Sequence, residues 1–168
     1  MCRFSFLFFF LSILSLASNA QRKVSVKAYI TATEDYCGGA RPSDEMLKDL
    51  STEKPLSDKV IYIKIGTVNK STNKTVKKVK TDANGRFEVM LSPGVTYYFI
   101  EEWKSKVFIA PKNTHEITWN ISCLRKRYAT PDFILKVKPG NNPEVHINYH
   151  QNCSYRPYCG QYSGPLPP

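Results

Sequence analysis

Cysteine is the residue type whose spacing most constrains the chemistry of this chain of 168 residues. Four of its five cysteines follow an apolar N-terminal stretch, at Cys37, Cys123, Cys153 and Cys159. Four thiols in an exported chain form two disulfides, and sequence alone allows three pairings. We predict Cys37–Cys123 and Cys153–Cys159, because the last two cysteines are close in sequence and the first two flank predicted strands.

A metal site is the alternative use of these side chains. His150, Cys153 and Cys159 carry ligand atoms, but their spacing does not match the paired Cys-x-x-Cys of structural zinc sites. His146 and His150 share one face of a predicted strand and are roughly 13 Å apart, too far for one ion. We therefore expect no metal and no cofactor.

Motifs for covalent or acid–base catalysis are missing from the sequence. It contains no Gly-x-Ser-x-Gly elbow, no His-Glu-x-x-His helix and no phosphate-binding glycine loop. Glu101 and Glu102 are adjacent, so on a strand they point to opposite faces and do not form a cooperating pair. We expect no catalytic residues and a protein that is not an enzyme.

Two basic clusters suggest a charged surface. One is the segment 70–80, and the other is Arg125–Arg127. Lysines along a strand commonly protect an exposed edge from pairing with other chains, and this is our first interpretation of the segment. Attraction to an anionic glycan or to lipid head groups is the second. Under this second interpretation, the candidate ligand-binding side chains are Lys74, Lys77, Lys78 and Lys80.

Aromatic residues offer a second binding possibility. Tyr155, Tyr158 and Tyr162 lie in the C-terminal tail, and Trp103 and Trp119 lie earlier in the chain. These rings stack on sugars if they are exposed on one surface. The alternative is that the tail packs back over the domain and its rings cover apolar area.

The N-terminus is typical of a secretory signal peptide over residues 1–20. It carries one charge, an apolar run from Phe4 to Ala17 and a small residue at the expected cleavage site, Ala20. The run is shorter than the about 20 apolar residues that span a bilayer. Without Arg3 the net charge of +10 falls to +9. We expect a secreted or periplasmic protein that does not span the membrane and has no nucleic acid as its normal partner.

Alternating apolar and polar residues predict strands along most of the remaining chain. Val24–Ile30 alternates strictly, whereas Lys59–Ile65 is apolar at nearly every position and so should be a central strand. Ser43 can cap one short helix over residues 44–50. Further strands are predicted over residues 75–81, 86–91, 95–101, 133–138 and 144–149.

This pattern predicts an all-β, antiparallel Greek-key sandwich of about seven strands. We expect a domain over residues 21–152, followed by a Cys-, Tyr- and Pro-rich tail over residues 153–168. The last two strands should form a hairpin, which would place Cys123 and Cys153 at one end of the sandwich.

The predicted strand over residues 86–91 and the turns on either side of it resemble a known signature. Its residues are Asp82, Asn84, Gly85, Phe87, Pro93 and Gly94. Asp and Asn cap the first turn, Gly reverses the chain, Phe enters the core, and Pro-Gly closes the far end. This arrangement resembles the carboxypeptidase regulatory-like, or prealbumin-like, β-sandwich domains.

The flanking segments resemble small exported proteins of Bacteroidetes-type bacteria that have no assigned activity. The similar stretches are Tyr36–Gly39, Ala129–Asp132 and Tyr162–Pro168. The resemblance implies a non-catalytic module, often an accessory of envelope or secreted proteins, and it supplies no active-site residues.

Three functional hypotheses follow from these observations. The first is a binding or structural module whose partner is a cell-envelope protein or an anionic glycan. The second is a glycan-binding or adhesion protein that uses the basic segment 70–80 and the tail tyrosines. The third is a small hydrolase or protease inhibitor, for which Pro111–Thr130 is the candidate inhibitory loop.

Overall fold

The computed structural model describes residues 22–165, so the predicted signal peptide and its cleavage site lie outside the described residues. The strands are β1 (Val24–Glu34), β2 (Lys54–Pro55), β3 (Val60–Ile65), β4 (Thr75–Lys80), β5 (Arg86–Leu91), β6 (Thr96–Glu101), β7 (Ile117–Trp119), β8 (Phe133–Lys136), β9 (Glu144–Gln151) and β10 (Gly160–Tyr162). The helices are α1 (Asp44–Ser51), α2 (Glu102–Ser105) and α3 (Ile121–Ala129). The longest of these helices, α3, has nine residues, so none of the described helices could span a bilayer.

The first sheet, sheet A, is built around β1. One edge of β1 pairs with β5 and then β2, both antiparallel, and its other edge pairs with β9, which runs parallel to it. The predicted alternation of β1 is confirmed, because Val24, Val26, Ala28 and Ile30 are all buried.

The second sheet, sheet B, is antiparallel in the order β4-β3-β6-β8. The prediction that β3 is central is confirmed, and its residues Ile61 and Ile63 are fully buried. They pack against β1 and against Phe99 of β6 in the core between the two sheets. The predicted all-β sandwich is therefore confirmed.

The predicted hairpin of the last two strands is wrong. Strand β8 pairs with β6 in sheet B, whereas β9 crosses to sheet A and pairs with β1. Val137 continues toward sheet B, where its N–H donates to the carbonyl of Val95, and only then does the chain cross. Alternation shows which side of a strand is buried but does not identify the strand that pairs with it, so the short connection between β8 and β9 has the sequence of a hairpin turn although it crosses between sheets.

The predicted disulfide pairing is wrong for the same reason. The structure pairs Cys37 with Cys153 and Cys123 with Cys159, with Cα–Cα distances of 5.4 and 5.5 Å. Because β9 is parallel to β1, the two strands end side by side, and the cysteine just beyond each strand meets the other. The second disulfide, Cys123–Cys159, joins α3 to the tail.

The stretch 111–130 contains more regular structure than the sequence indicated. It includes β7 and α3, and β7 pairs with β10 of the tail. The helices α2 and α3 form a covering layer on the outer face of sheet B, and the disulfide between Cys123 and Cys159 joins the tail to α3. The inhibitor hypothesis required one rigid exposed loop here, but Leu124 and Tyr128 of this stretch are buried.

The start of α1 and the turn before β5 follow their local sequence. Ser43 caps α1, its hydroxyl accepting from the N–H of Met46. In the turn before β5, the carboxylate of Asp82 accepts from the N–H groups of Asn84 and Arg86 at 2.9 and 2.8 Å. Gly85 has a φ of +70°, and a Cβ there would overlap the carbonyl oxygen of Ile30.

Candidate binding surface

The covering layer packs on side chains that point away from the main core. Tyr98 and Ile100 of β6 lie on the outer face of sheet B and are nevertheless completely buried. Leu124 and Tyr128 of α3 are buried as well. The outer face of sheet B therefore has a second small core, which fixes α3 in position.

Asn69 joins the covering layer to sheet B through hydrogen bonds. Its amide nitrogen donates to the carbonyls of Lys104 and Tyr128 at 2.8 and 3.0 Å, one on each helix. The hydroxyl of Tyr98 donates to the amide oxygen at 3.3 Å. Burial raises the pKa of Tyr98, so this hydroxyl stays protonated as a donor.

A buried ion pair lies beneath α2. The ammonium of Lys104 contacts the carboxylate of Asp132 and donates to the carbonyl of Thr130 at 2.9 Å, and both charged side chains are less than a tenth exposed. The other carboxylate oxygen accepts from the N–H of Glu101 at 2.8 Å and from the hydroxyl of Tyr149 at 3.0 Å. Burial, with the nearby charges of Asp132 and Glu101, raises the pKa of Tyr149 far above its ordinary value.

Glu101 lies between the Lys104–Asp132 ion pair and the exposed Trp103: its N–H donates to Asp132, and its carboxylate accepts from the Trp103 indole. Burial alone would raise the pKa of its carboxyl, but hydrogen bonds from Lys59 and from the indole N–H of Trp103 outweigh it and hold the pKa below its ordinary value. The carboxylate is therefore charged at neutral pH and orients the Trp103 ring.

An aromatic–cationic surface lies above these contacts. We use this name for Trp103, Phe108, Arg125, Arg127 and Tyr158. The guanidinium of Arg127 lies over the Tyr158 ring at 3.8 Å and over the Trp103 ring at 5.4 Å, and that of Arg125 lies over Phe108 at 5.3 Å. Both outer rings remain accessible, Trp103 at 36% and Tyr158 at 44% exposure.

The disulfide between α3 and the tail fixes one side of this surface. Tyr158 immediately precedes Cys159, which is bonded to Cys123 on α3. The carbonyl of Cys159 also accepts from the N–H of Asn120 at 2.7 Å. The tail is thus bound to the helix, and Tyr158 is placed beside Arg127.

The structure places the candidate ligand-binding lysines and tyrosines in separate regions of the protein. The four candidate lysines lie on or beside β4, an edge strand, and all are exposed: Lys74, Lys77, Lys78 and Lys80. Tyr158 instead contacts Arg127 of α3, while the rings of Tyr155 and Tyr162 lie against one another at an interplanar angle of 55°, with centroids 6.2 Å apart. No hydrogen bond or cation–π contact within residues 22–165 joins these lysines to these tyrosines.

The cation–π contact between Arg127 and Trp103 could not be predicted from the sequence. The two residues are 24 positions apart, and α3 was not predicted. The usable signal was the asparagine at Asn120, whose side chain accepts from the N–H of Cys123 and caps α3.

The histidines of β9 lie on the open outer face of sheet A. His150 contacts the hydroxyl of Thr33 at 3.1 Å and the carboxylate of Asp35 at 2.9 Å. His146 similarly contacts Thr31 and the carboxylate of Glu53. Within residues 22–165, no three His, Cys, Asp or Glu side chains converge as a metal site would require.

Comparisons with known proteins add one fold-level likeness. No protein-family model matches the chain, and no curated protein matches it. Among solved structures, the chain is similar to the shaft pilin spaA from Lactobacillus rhamnosus GG, at 14% identity and a TM-score of 0.43. The match covers 80% of this chain and 53% of the pilin, so the chain spans about half of that protein's length. The fold assignment rests on the two sheets described above.

Proposed function

We propose that this protein is a secreted or periplasmic, non-catalytic binding module whose aromatic–cationic surface binds an acidic polysaccharide. The observation that carries the proposal is the placement of the Arg127 guanidinium between the accessible rings of Trp103 and Tyr158. Two disulfides, which persist in oxidising compartments, support export.

The chemistry of this surface suits a sugar acid. A guanidinium can donate two parallel hydrogen bonds to a carboxylate or sulfate, and such charge-assisted bonds are stronger than neutral ones. The flanking rings offer apolar faces with polar edges, as an amphipathic pyranose ring requires. The net charge of +10 favours a polyanion over a neutral polymer.

The surface is also held in place before any ligand arrives. Arg127 lies on α3, which is fixed by the buried Tyr128 and by the disulfide of Cys123. A side chain that is already ordered loses less entropy on binding, so a small surface can still bind usefully.

We further propose that the sandwich belongs to the carboxypeptidase regulatory-like class, with the domain over residues 21–152 and the tail over residues 153–168. The capped turn at Asp82–Gly85 and the second turn at Pro93–Gly94 support this class. Its members are non-catalytic, which agrees with a binding role.

Affinity electrophoresis through gels that contain alginate, an acidic polysaccharide, tests the proposed function. Arg127→Ala should weaken retardation about tenfold in Kd, the effect of one charge-assisted contact. Lys77→Ala is the matched control, because it removes one positive charge from β4 and should change the Kd less than about twofold.

Three results would contradict the proposal. One is equal weakening by both substitutions, which would indicate attraction to net charge alone. Another is loss only with Lys77→Ala, which would assign binding to the lysines of β4. The last is binding to phosphatidylglycerol vesicles without retardation by alginate, which would indicate a membrane surface as the partner.

A further inference from the structure

The edge strands of the sandwich differ in how well they are protected. A free strand edge can pair with another chain, and natural proteins prevent this with lysine, proline or short edge strands. Strand β4 carries Lys77, Lys78 and Lys80, and β8 has only four residues. Strand β9 has eight residues and contains no lysine, arginine or proline.

The free edge of β9 presents its main-chain groups in a regular series. The N–H of Lys27 donates to the carbonyl of Pro143, and that of Asp35 donates to Gln151. Odd-numbered positions of β9 therefore direct their main-chain groups toward β1, and even-numbered positions direct theirs away. Within residues 22–165, no main-chain hydrogen bond reaches the groups that point away. Those groups belong to Glu144, His146, Asn148 and His150.

The sequence of β9 is complementary to itself when two copies run antiparallel about Ile147. Even-numbered residues then oppose even-numbered ones, so polar side chains stay on the outer face and apolar ones on the core face. Glu144 lies opposite His150, and Val145 lies opposite Tyr149. A carboxylate facing an imidazole and an apolar pair facing each other are both favourable cross-strand pairs.

We infer that β9 is a self-association edge, through which a second copy of this chain pairs antiparallel in the register centred on Ile147. In this register the main-chain groups that point away from β1 bond to their counterparts in the other copy. Sheet A continues across the two-fold axis, and the core-facing side chains Val145, Ile147 and Tyr149 form one unbroken row.

Substitutions at Asn148 can disrupt pairing between two copies at β9 without disrupting the fold of one copy. Proline there removes an N–H that points away from β1 and leaves the bonds to β1 in place, the one orientation that an edge strand tolerates. Alanine is the matched control, because it loses the same amide contact with Glu53, at 3.3 Å, but keeps the N–H.

Light scattering coupled to gel filtration of the purified secreted protein, over a series of concentrations, measures the association. The unaltered protein and Asn148→Ala should reach twice the mass of the single chain, and Asn148→Pro should dimerise at least about tenfold more weakly. If the proline variant does not fold, as judged by circular dichroism, Asn148→Lys gives the same comparison because it places a lysine at the edge.

A charge reversal at Glu144 tests the proposed register of the dimer. Glu144→Lys places a cation opposite His150 of the other copy and should weaken the dimer, whereas Lys136→Glu on β8 should leave it unchanged. A protein that stays monomeric at submillimolar concentration would overturn the inference, as would a dimer that is insensitive to both proline and lysine at Asn148.

Discussion

The outer faces of the two sheets differ in what covers them. The outer face of sheet B supports a second small core, in which Tyr98 and Ile100 are completely buried. The outer face of sheet A carries a polar row in which Glu53 accepts from the hydroxyl of Thr31 and contacts His146. One face is therefore part of the folded interior, whereas the other carries water-accessible polar side chains, such as Glu53 and His146, that cover the buried Thr31.

The difference begins in the strands themselves. Residues Tyr97–Ile100 of β6 are apolar and all buried, whereas burial alternates over Val24–Ile30 of β1 and over Glu144–Tyr149 of β9. A strand that is apolar on both faces requires cover on both, and in this chain α2 and α3 supply it on the outer face. The covering layer contributes most of the aromatic–cationic surface. The apolar run in β6 therefore favours the helices on which the proposed site is built.

The largest expected effect comes from the buried carboxylate of the covered face. Asp132→Asn keeps an oxygen for the N–H of Glu101 but leaves the ammonium of Lys104 buried without a carboxylate. We expect a loss of about 3–5 kcal/mol in the free energy of unfolding, measured in urea.

Glu53→Gln is the matched control on the open face of sheet A. It makes the same chemical change at a carboxylate that water reaches, so it should cost less than about 1 kcal/mol. Equal losses for the two variants would show that the faces do not differ as described.

A smaller effect is expected from opening the disulfide between α3 and the tail. Cys123→Ser combined with Cys159→Ser removes a bond that spans 36 positions and should cost about 2–4 kcal/mol. Both tryptophans lie in or beside the covering layer, so their fluorescence should change at lower urea than the strand signal in circular dichroism.

The other disulfide provides the comparison. Cys37→Ser with Cys153→Ser releases the ends of β1 and β9 in sheet A and should lower both transitions together. Fluorescence and strand signals that coincide in the first variant would mean that the covering layer does not unfold separately.

The smallest effect concerns Lys64, which is 1% exposed on the covered face of sheet B. Burial lowers its pKa below 10.5, so the unfolded state binds more protons and stability rises with pH between the lowered pKa and 10.5. Lys64→Met should raise the melting temperature by about 2–4 °C at neutral pH. The gain should shrink as the pH approaches 10.5, and a gain independent of pH would contradict this explanation.

The sequence predicted what local alternation and turn chemistry determine. The burial of β1, the central position of β3, the cap of α1 by Ser43 and the turn after Asp82 all depend on residues close in sequence. The parallel pairing of β1 with β9 depends instead on which sheet the chain enters after Val137, and no local pattern encodes that choice. Both disulfides follow from it.

The candidate surface was predictable only in its parts. The tail tyrosines and the basic run at Arg125–Arg127 were visible as separate features. Their contact requires α3, whose apolar side is limited to a few residues such as Leu124 and Tyr128. The tail must also return along β7, which is a long-range pairing of only three residues in each strand.

The indole N–H resonance of Trp103 tests the central claim most directly, because that group lies within the proposed surface and donates to Glu101. In a titration of the labelled protein with alginate oligosaccharides, we expect this resonance and the side-chain resonances of Arg127 to shift together and to saturate, while the amides of β4 remain in place. Saturable shifts confined to Lys77, Lys78 and Lys80, with Trp103 unchanged, would contradict the account.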